Sequence, residues 1–300
     1  MRLGSSSGLL LVCVVAPLAS AHAVETPPSE VVASEAAAPS KPWSASLGLR
    51  YGRLLVTDDT SGGDQSLAYR LGGGAEVFPG GKVSVRLGLN ERFVAQPEES
   101  GFRLTDTTLG LSYGQTLPVG PKSIDVTHEL AFALPTSRAS SRQDLYVAVG
   151  YTLSLSMELV SGLTASVSPN ARYRAHAFAE RAGIDGVMNT QWEFGSHLGL
   201  DYTLLDLGDE LGNLTLGASG GWTWFRQYDA VDQHASLYAD SGAWNQGYDY
   251  EAHVAYVFLE RYSLTTSIEQ GSNVLRDGIV NVSWFNRDEV ELALAFGARF

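Results

Sequence analysis

The chain of 300 residues contains one cysteine, three methionines, few lysines and no long apolar run. Each shortage removes a class of protein. A membrane-spanning helix needs about 18 or more consecutive apolar residues, and the only sustained run, residues 9–18, is too short. Helical membrane spans are therefore excluded. The lone Cys13 lies inside that run, preceded by Leu11 and Val12 rather than by the small neighbour of a lipoprotein signal. No thiol remains downstream of it, which excludes disulfides and Cys-based metal sites from the rest of the chain. Basic side chains number 20 against 33 acidic ones, a net charge of −13, which disfavours polyanion partners, and no basic stripe is present for nucleic acid.

What is present begins with an export signal. Arg2, the apolar residues 9–18 and Ala21-His22-Ala23 form a charged start, a short hydrophobic stretch and a small-x-small cleavage site. Residues 1–23 are the expected signal peptide, cut after Ala23. That cut removes Arg2 and no acid, leaving 19 basic and 33 acidic side chains and a net charge of −14. Residues 24–41 are rich in Pro, Ala, Ser and Glu without a sustained period, and read as a disordered periplasmic lead-in.

From residue 42 to residue 300, apolar and polar side chains alternate with period two in about twelve segments: 43–56, 67–77, 83–94, 103–116, 123–134, 144–156, 163–175, 190–204, 213–227, 247–258, 262–270 and 290–300. The links between them alternate in length. Short ones at 78–82, 117–122, 157–162, 205–212 and 259–261 carry Gly or Pro or are too short for more than a tight turn. Longer, more polar ones lie at 57–66, 95–102, 135–143, 176–189, 228–246 and 271–289, and residues 278–285 extend the last hairpin outward. One face of most segments is almost wholly apolar, for example Leu145, Val147, Val149, Tyr151, Leu153 and Leu155, although the overall hydropathy is near zero. A soluble sandwich would carry polar groups on its outer faces. A closed barrel in lipid satisfies every backbone donor and acceptor and puts one face of each strand in a polar lumen. The expected fold is therefore all-β, a transmembrane antiparallel β-barrel of about twelve strands with short periplasmic turns and longer extracellular loops. Trp43, Tyr51, Tyr69, Tyr113, Trp192, Tyr202, Trp222, Trp224, Tyr248, Tyr256 and Tyr262 fall near strand ends on the outer face, as aromatic girdles do. His128 is outward in the same register, so either the register shifts there or the imidazole sits at the interface.

The last segment is the most specific. Val290, Leu292, Leu294, Phe296, Ala298 and Phe300 share one face, and Glu291, Ala293, Ala295, Gly297 and Arg299 the other. A final strand ending in Phe, with a second aromatic four residues earlier, resembles the closing strand of bacterial outer-membrane β-barrel proteins. The resemblance implies location in the bacterial outer membrane, contact with its lipids and lipopolysaccharide, and Phe296 and Phe300 as the signal read by the barrel assembly machinery.

The register also names the lumen. Arg50, Arg70, Arg86, Arg92 and Arg103 come from the first four strands, and Glu193, Asp201, Asp249, Glu251, Glu269 and Glu291 from strands eight to twelve, so a basic arc looks across at an acidic one. Asp125 and Glu129 lie on the fifth strand, Arg172 and Arg174 on the seventh. Opposed arcs resemble the constriction of general porins, where a transverse field orients polar solutes. The competing reading is structural: long Arg and Glu side chains pair across a narrow interior and plug it.

Other chemistry is weakly signalled. His234, Ser236 and Asn245 suggest the nucleophile arrangement of outer-membrane phospholipases, but they fall in an expected loop. His197 and His253 neighbour inward acids without metal-ligand spacing. Asp58, Asp59, Asp64, Asp229, Asp232 and Asp240 match no calcium-loop spacing, and the runs Gly72-Gly73-Gly74 and Gly220-Gly221 have no helix after them to bind phosphate. No cofactor or metal is expected. Trp222, Trp224, Phe225, Tyr228, Trp244, Tyr248 and Tyr250 flank the 228–246 link as an aromatic belt or a docking patch. The leading expectation is a narrow porin-like channel for small polar solutes. The alternatives are a plugged structural or docking barrel acting through its loops and, third, a lipid hydrolase.

Overall fold

The computed structural model describes residues 43–55, 65–93, 101–180, 188–229, 244–276, 279–280 and 289–300. The expected signal peptide and lead-in lie outside them, as do Asp58, Asp59, Asp64, Asp232, His234, Ser236 and Asp240.

Alternation of bulky apolar residues with Gly, Ser, Thr and charged residues gives strands β1 (Trp43–Leu54), β2 (Gln65–Phe78), β3 (Gly81–Phe93), β4 (Gly101–Leu104), β5 (Thr107–Val119), β6 (Lys122–Leu134), β7 (Leu145–Val160), β8 (Leu163–His176), β9 (Thr190–Asp206), β10 (Asn213–Gln227), β11 (Trp244–Phe258), β12 (Tyr262–Asn273), a small hairpin β13 (Leu275–Arg276) and β14 (Ile279–Val280), and β15 (Val290–Arg299). Every neighbouring pair runs antiparallel, and β15 pairs with β1, which closes the sheet on itself. Short β4 and β5 both pair with β3, at Leu89 to Arg92 and at Gly81 to Arg86 respectively, so together they form one interrupted stave and the barrel has twelve. Among the described residues closure leaves only the far edge of the short β4 without a strand partner, so the rest of the barrel meets the condition for a β structure in lipid.

The interruption has a cause. The β3–β4 pair rises past the top of β6, which ends at Leu134 opposite Thr107. The chain after β6 takes the missing place with side-chain hydrogen bonds. Thr136 Oγ1 accepts from the Thr107 N–H at 2.8 Å, and Asp106 Oδ1 accepts from the Ser137 N–H at 2.9 Å. Ser137 then caps a short helix α1 (Arg138–Arg142) by accepting from the Ser140 N–H at 3.0 Å, and the Ser140 hydroxyl donates to Asp106. The 135–143 link is thus a built corner. A second short helix, α2 (Gly208–Leu211), sits in the 205–212 turn.

Polarity is inverted relative to a soluble protein. Leu198 and Leu200 are 59 % and 52 % exposed on the outer face, and Leu47, Leu71, Leu87, Leu111, Leu292 and Leu294 share that exposure around the barrel. A belt of this extent would aggregate in water and is stable facing acyl chains. Meanwhile Thr215, His253 and Ser267 are buried on the inner face. Aromatic rings mark both rims of the belt. Tyr256, Phe258, Tyr262 and Phe296 stack in succession at the short-turn rim, with centroids 5.4–6.2 Å apart, and at the other Trp192 stacks on Phe194 at 5.8 Å and meets the tilted ring of Tyr173 at 4.6 Å. His128 keeps the outward register: its Nδ1 lies 2.7 Å from the Tyr151 hydroxyl, and its ring stacks on Tyr113. Two expected girdle or patch residues differ. Tyr248 is on the outer row yet only 8 % exposed, and Phe225 turns inward and is buried.

β9 has 17 residues, more than the roughly 9–11 that cross a bilayer, so its side of the barrel projects beyond the membrane. Asn189, just before β9, ties that rim together. Its Nδ2 donates to the carbonyls of Gln143, Phe178 and Glu180 at 3.1–3.3 Å.

Candidate functional site

Twelve staves about 4.8 Å apart and tilted about 40° enclose a barrel about 24 Å across at Cα. Whether that interior is filled depends on where its charged side chains reach. Arg50, Arg70, Arg86, Arg92 and Arg103 lie on β1 to β4, and Glu193, Asp201, Asp249, Glu251, Glu269 and Glu291 on β9, β11, β12 and β15, all on the face opposite the exposed leucines. With β2 to β4 half a circuit from β9 to β11, the basic and acidic strands stand on facing walls.

Yet the close contacts run along the wall. Arg50 of β1 reaches Glu291 of neighbouring β15 at 2.8 Å and Glu269 of β12 at 2.7 Å. Arg86 of β3 meets Glu129 of β6 at 2.9 Å. Arg174 and Arg172 of β8 converge on Glu193 of β9 at 2.5 and 3.9 Å. His253 Nε2 lies 3.2 Å from Asp201, and His197 Nδ1 lies 3.4 Å from Asp249, each pair spanning β10 between β9 and β11. His253 Nδ1 lies 3.6 Å from Glu251. The His253–Asp201 approach is an ion-pair distance off hydrogen-bond geometry, since neither atom has a hydrogen-bond partner. None of these pairs joins staves more than two apart.

Glycine makes the lateral reach possible. A Cβ on Gly217 would strike Asp201 and the His253 ring, and one on Gly221 would strike His197 and Asp249. These two residues are gaps in β10 through which its neighbours touch, a close approach that only a residue without a side chain allows. At the seam, Glu291 lies over Gly52 in the same way.

The least expected feature is a row of three acids. Glu251, Glu269 and Glu291 are direct cross-strand partners on β11, β12 and β15. Like charges directly opposite destabilise a sheet. Arg50 answers two of them, the Ser267 hydroxyl donates to Glu269 at 2.6 Å, and His253 stands by the third. The individual acids are visible in the sequence, but their alignment depends on register across two hairpins, which no local signal carries. Asn245, from the lipase-like set, lies in β11 and donates to Gln227 at 3.2 Å. Among the described residues no group of three His, Cys, Asp or Glu is placed to hold a metal ion.

The closed antiparallel barrel, its outward apolar belt and its two aromatic rims define a β-barrel of the bacterial outer membrane. No protein-family model matches the chain. No curated protein matches it either. Among solved structures it is similar to an outer membrane channel from Pseudomonas putida F1, with a TM-score of 0.57 at 11 % identity over 92 % of this chain and 100 % of that one. It also matches the NanC porin, with a TM-score of 0.46 at 13 % identity over 85 % of this chain and 98 % of that one. At such identity the first likeness speaks for the fold alone.

Proposed function

We propose that the chain is a narrow diffusion channel for small polar solutes, with Arg50, Arg70, Arg86, Arg92 and Arg103 and the facing Glu193, Asp201, Asp249, Glu251, Glu269 and Glu291 as its selectivity lining. The lateral pairing carries this reading. A plugged barrel spends its long charged side chains across the lumen, whereas here Arg50, Arg86, Arg172, Arg174 and their acids are held against the wall, at most two staves from their origin. Side chains lying flat on a cylinder about 24 Å across leave an aqueous centre, in which the basic wall of β2 to β4 faces the acidic wall of β9 to β11. Assembly through Phe296 and Phe300 belongs to the same proposal: Phe296 stacks on Tyr262 at 6.2 Å, and the Phe300 backbone pairs with Ala45 beside the closing seam. Swelling of vesicles carrying the refolded protein, in isotonic solutions of small polar solutes, tests the reading. Swelling that slows as solute size grows is expected, and vesicles as tight as protein-free ones would refute it.

A further inference from the structure

The two histidine–carboxylate contacts of the inner wall are reciprocal. β9 supplies His197 and Asp201, β11 supplies Asp249 and His253, and the contacts cross β10 at Gly221 and Gly217. They are not equivalent. His197 meets Asp249 through Nδ1 at 3.4 Å, a contact that a neutral ring makes with its single N–H. His253 has a carboxylate at each ring nitrogen: Asp201 Oδ1 lies 3.2 Å from Nε2, and Glu251 Oε1 lies 3.6 Å from Nδ1. The residue is only 8 % exposed, and neither nitrogen has any other hydrogen-bond partner.

The charges around His253 come from four strands besides its own. On β11 the inward neighbours are Glu251 and, beyond it, Asp249, which His197 answers. β9 presents Asp201. β10 presents no charge there, only Thr215, Gly217 and Ser219. On β12 the direct partner is Ser267, whose hydroxyl donates to Glu269. Glu291 of β15 and Arg50 of β1 follow, and Arg50 is bound to Glu269 and Glu291. Asp201 and Glu251 are therefore left to the imidazole.

In that enclosure the two charge states of the ring differ in what they satisfy. An imidazolium donates from both nitrogens and serves both acids. A neutral imidazole has one N–H, so its second nitrogen turns a lone pair toward a carboxylate oxygen. Losing the proton leaves one acid of this wall without a counter-charge, and the lumen becomes more negative by one unit.

We propose that His253 is a specificity-determining residue of the lumen: its proton, shared between Asp201 and Glu251, sets how strongly the channel favours cations and makes that preference depend on pH. The inference rests on the channel reading above.

The test is the zero-current potential of the mature chain, residues 24–300, in a planar bilayer under a potassium chloride gradient, recorded from pH 5 to pH 8.5. The potassium-to-chloride permeability ratio is expected to rise about twofold or more as pH rises through the histidine range, the effect of one charge about 10 Å from a passing ion in screened water. H197Q, which removes the other imidazole of this wall, is expected to keep a rise of about twofold, and H197Q/H253Q to be flat. A conducting wild type with a flat profile, which requires no variant to fold, would overturn the proposal. So would a rise in H197Q/H253Q equal to that in H197Q. A silent bilayer would count against the channel instead, and the ring is then read directly by ¹⁵N magnetic resonance of the vesicle-inserted barrel at pH 5.5. Burial without a partner favours a neutral ring, so a His253 signal with two N–H protons is the expected result and one with a single N–H would overturn the shared proton.

Discussion

Arg50 meets two glutamates of the three-glutamate row, and its removal has a calculable consequence. In R50A, Glu269 and Glu291 lose partners at 2.7 and 2.8 Å while remaining beside Glu251. Breaking a fully buried pair costs about 3–5 kcal/mol, and an exposed pair is worth about 1 kcal/mol or less. Arg50 is 15 % exposed and the two glutamates are 32 % and 29 % exposed, so lumen water recovers part of the loss and about 1–3 kcal/mol is expected. Two assays read it. Denaturant unfolding of the vesicle-inserted barrel reports stability, and the zero-current potential in a salt gradient reports selectivity, which moves toward cations as two carboxylates lose their counter-charge. R50K is expected to recover charge but not stability in full, since an ammonium cannot present the planar fork that serves two carboxylates. The triple variant R50A/E269Q/E291Q is expected to return most of the stability. A single R50A barrel with wild-type stability and wild-type selectivity would refute the claim that Arg50 holds this row.

Three further outcomes are expected. Changing Arg50, Arg70 and Arg86 to Ala together shifts selectivity toward cations further than R50A alone, measured by the same zero-current potential; an unchanged potential removes those residues from the permeation path. G217V drives a side chain into Asp201 and His253 and costs about 1–3 kcal/mol by overpacking, read as a lower unfolding midpoint, whereas valine at outward-facing Gly220, whose nearest neighbours lie at 3.5 Å or beyond, is tolerated. D106A removes the acceptor for Ser137 and Ser140 and loosens α1 by about 1–2 kcal/mol, seen as faster proteolysis within residues 135–144 with the barrel intact.

The barrel was legible in the sequence because period-two alternation and link length are local. The expected segments 163–175, 190–204 and 213–227 coincide within two residues with β8, β9 and β10, and the 278–285 stretch of the last link overlaps the small β14. Inner and outer faces followed from the same alternation, including outward His128. What local pattern cannot carry is register between strands. The sequence shows an arginine arc and an acidic arc; only pairing across the β15–β1 seam and through Gly217 and Gly221 reveals that Arg50, His197 and His253 meet their acids sideways. Helix α1 was missed for a similar reason. Its capping Ser137 is visible, but five residues are too few for a helical period, and the acceptor that anchors them, Asp106, lies in the preceding hairpin.

The central claim is that charge lies along the wall and leaves the centre open. Single-channel current through residues 24–300, refolded and inserted in a planar bilayer at symmetric salt, tests it most directly. Steady conductance steps are expected. A silent bilayer, with the protein shown to be inserted and folded by its heat-modifiable migration, would contradict the account and make the interior a plug.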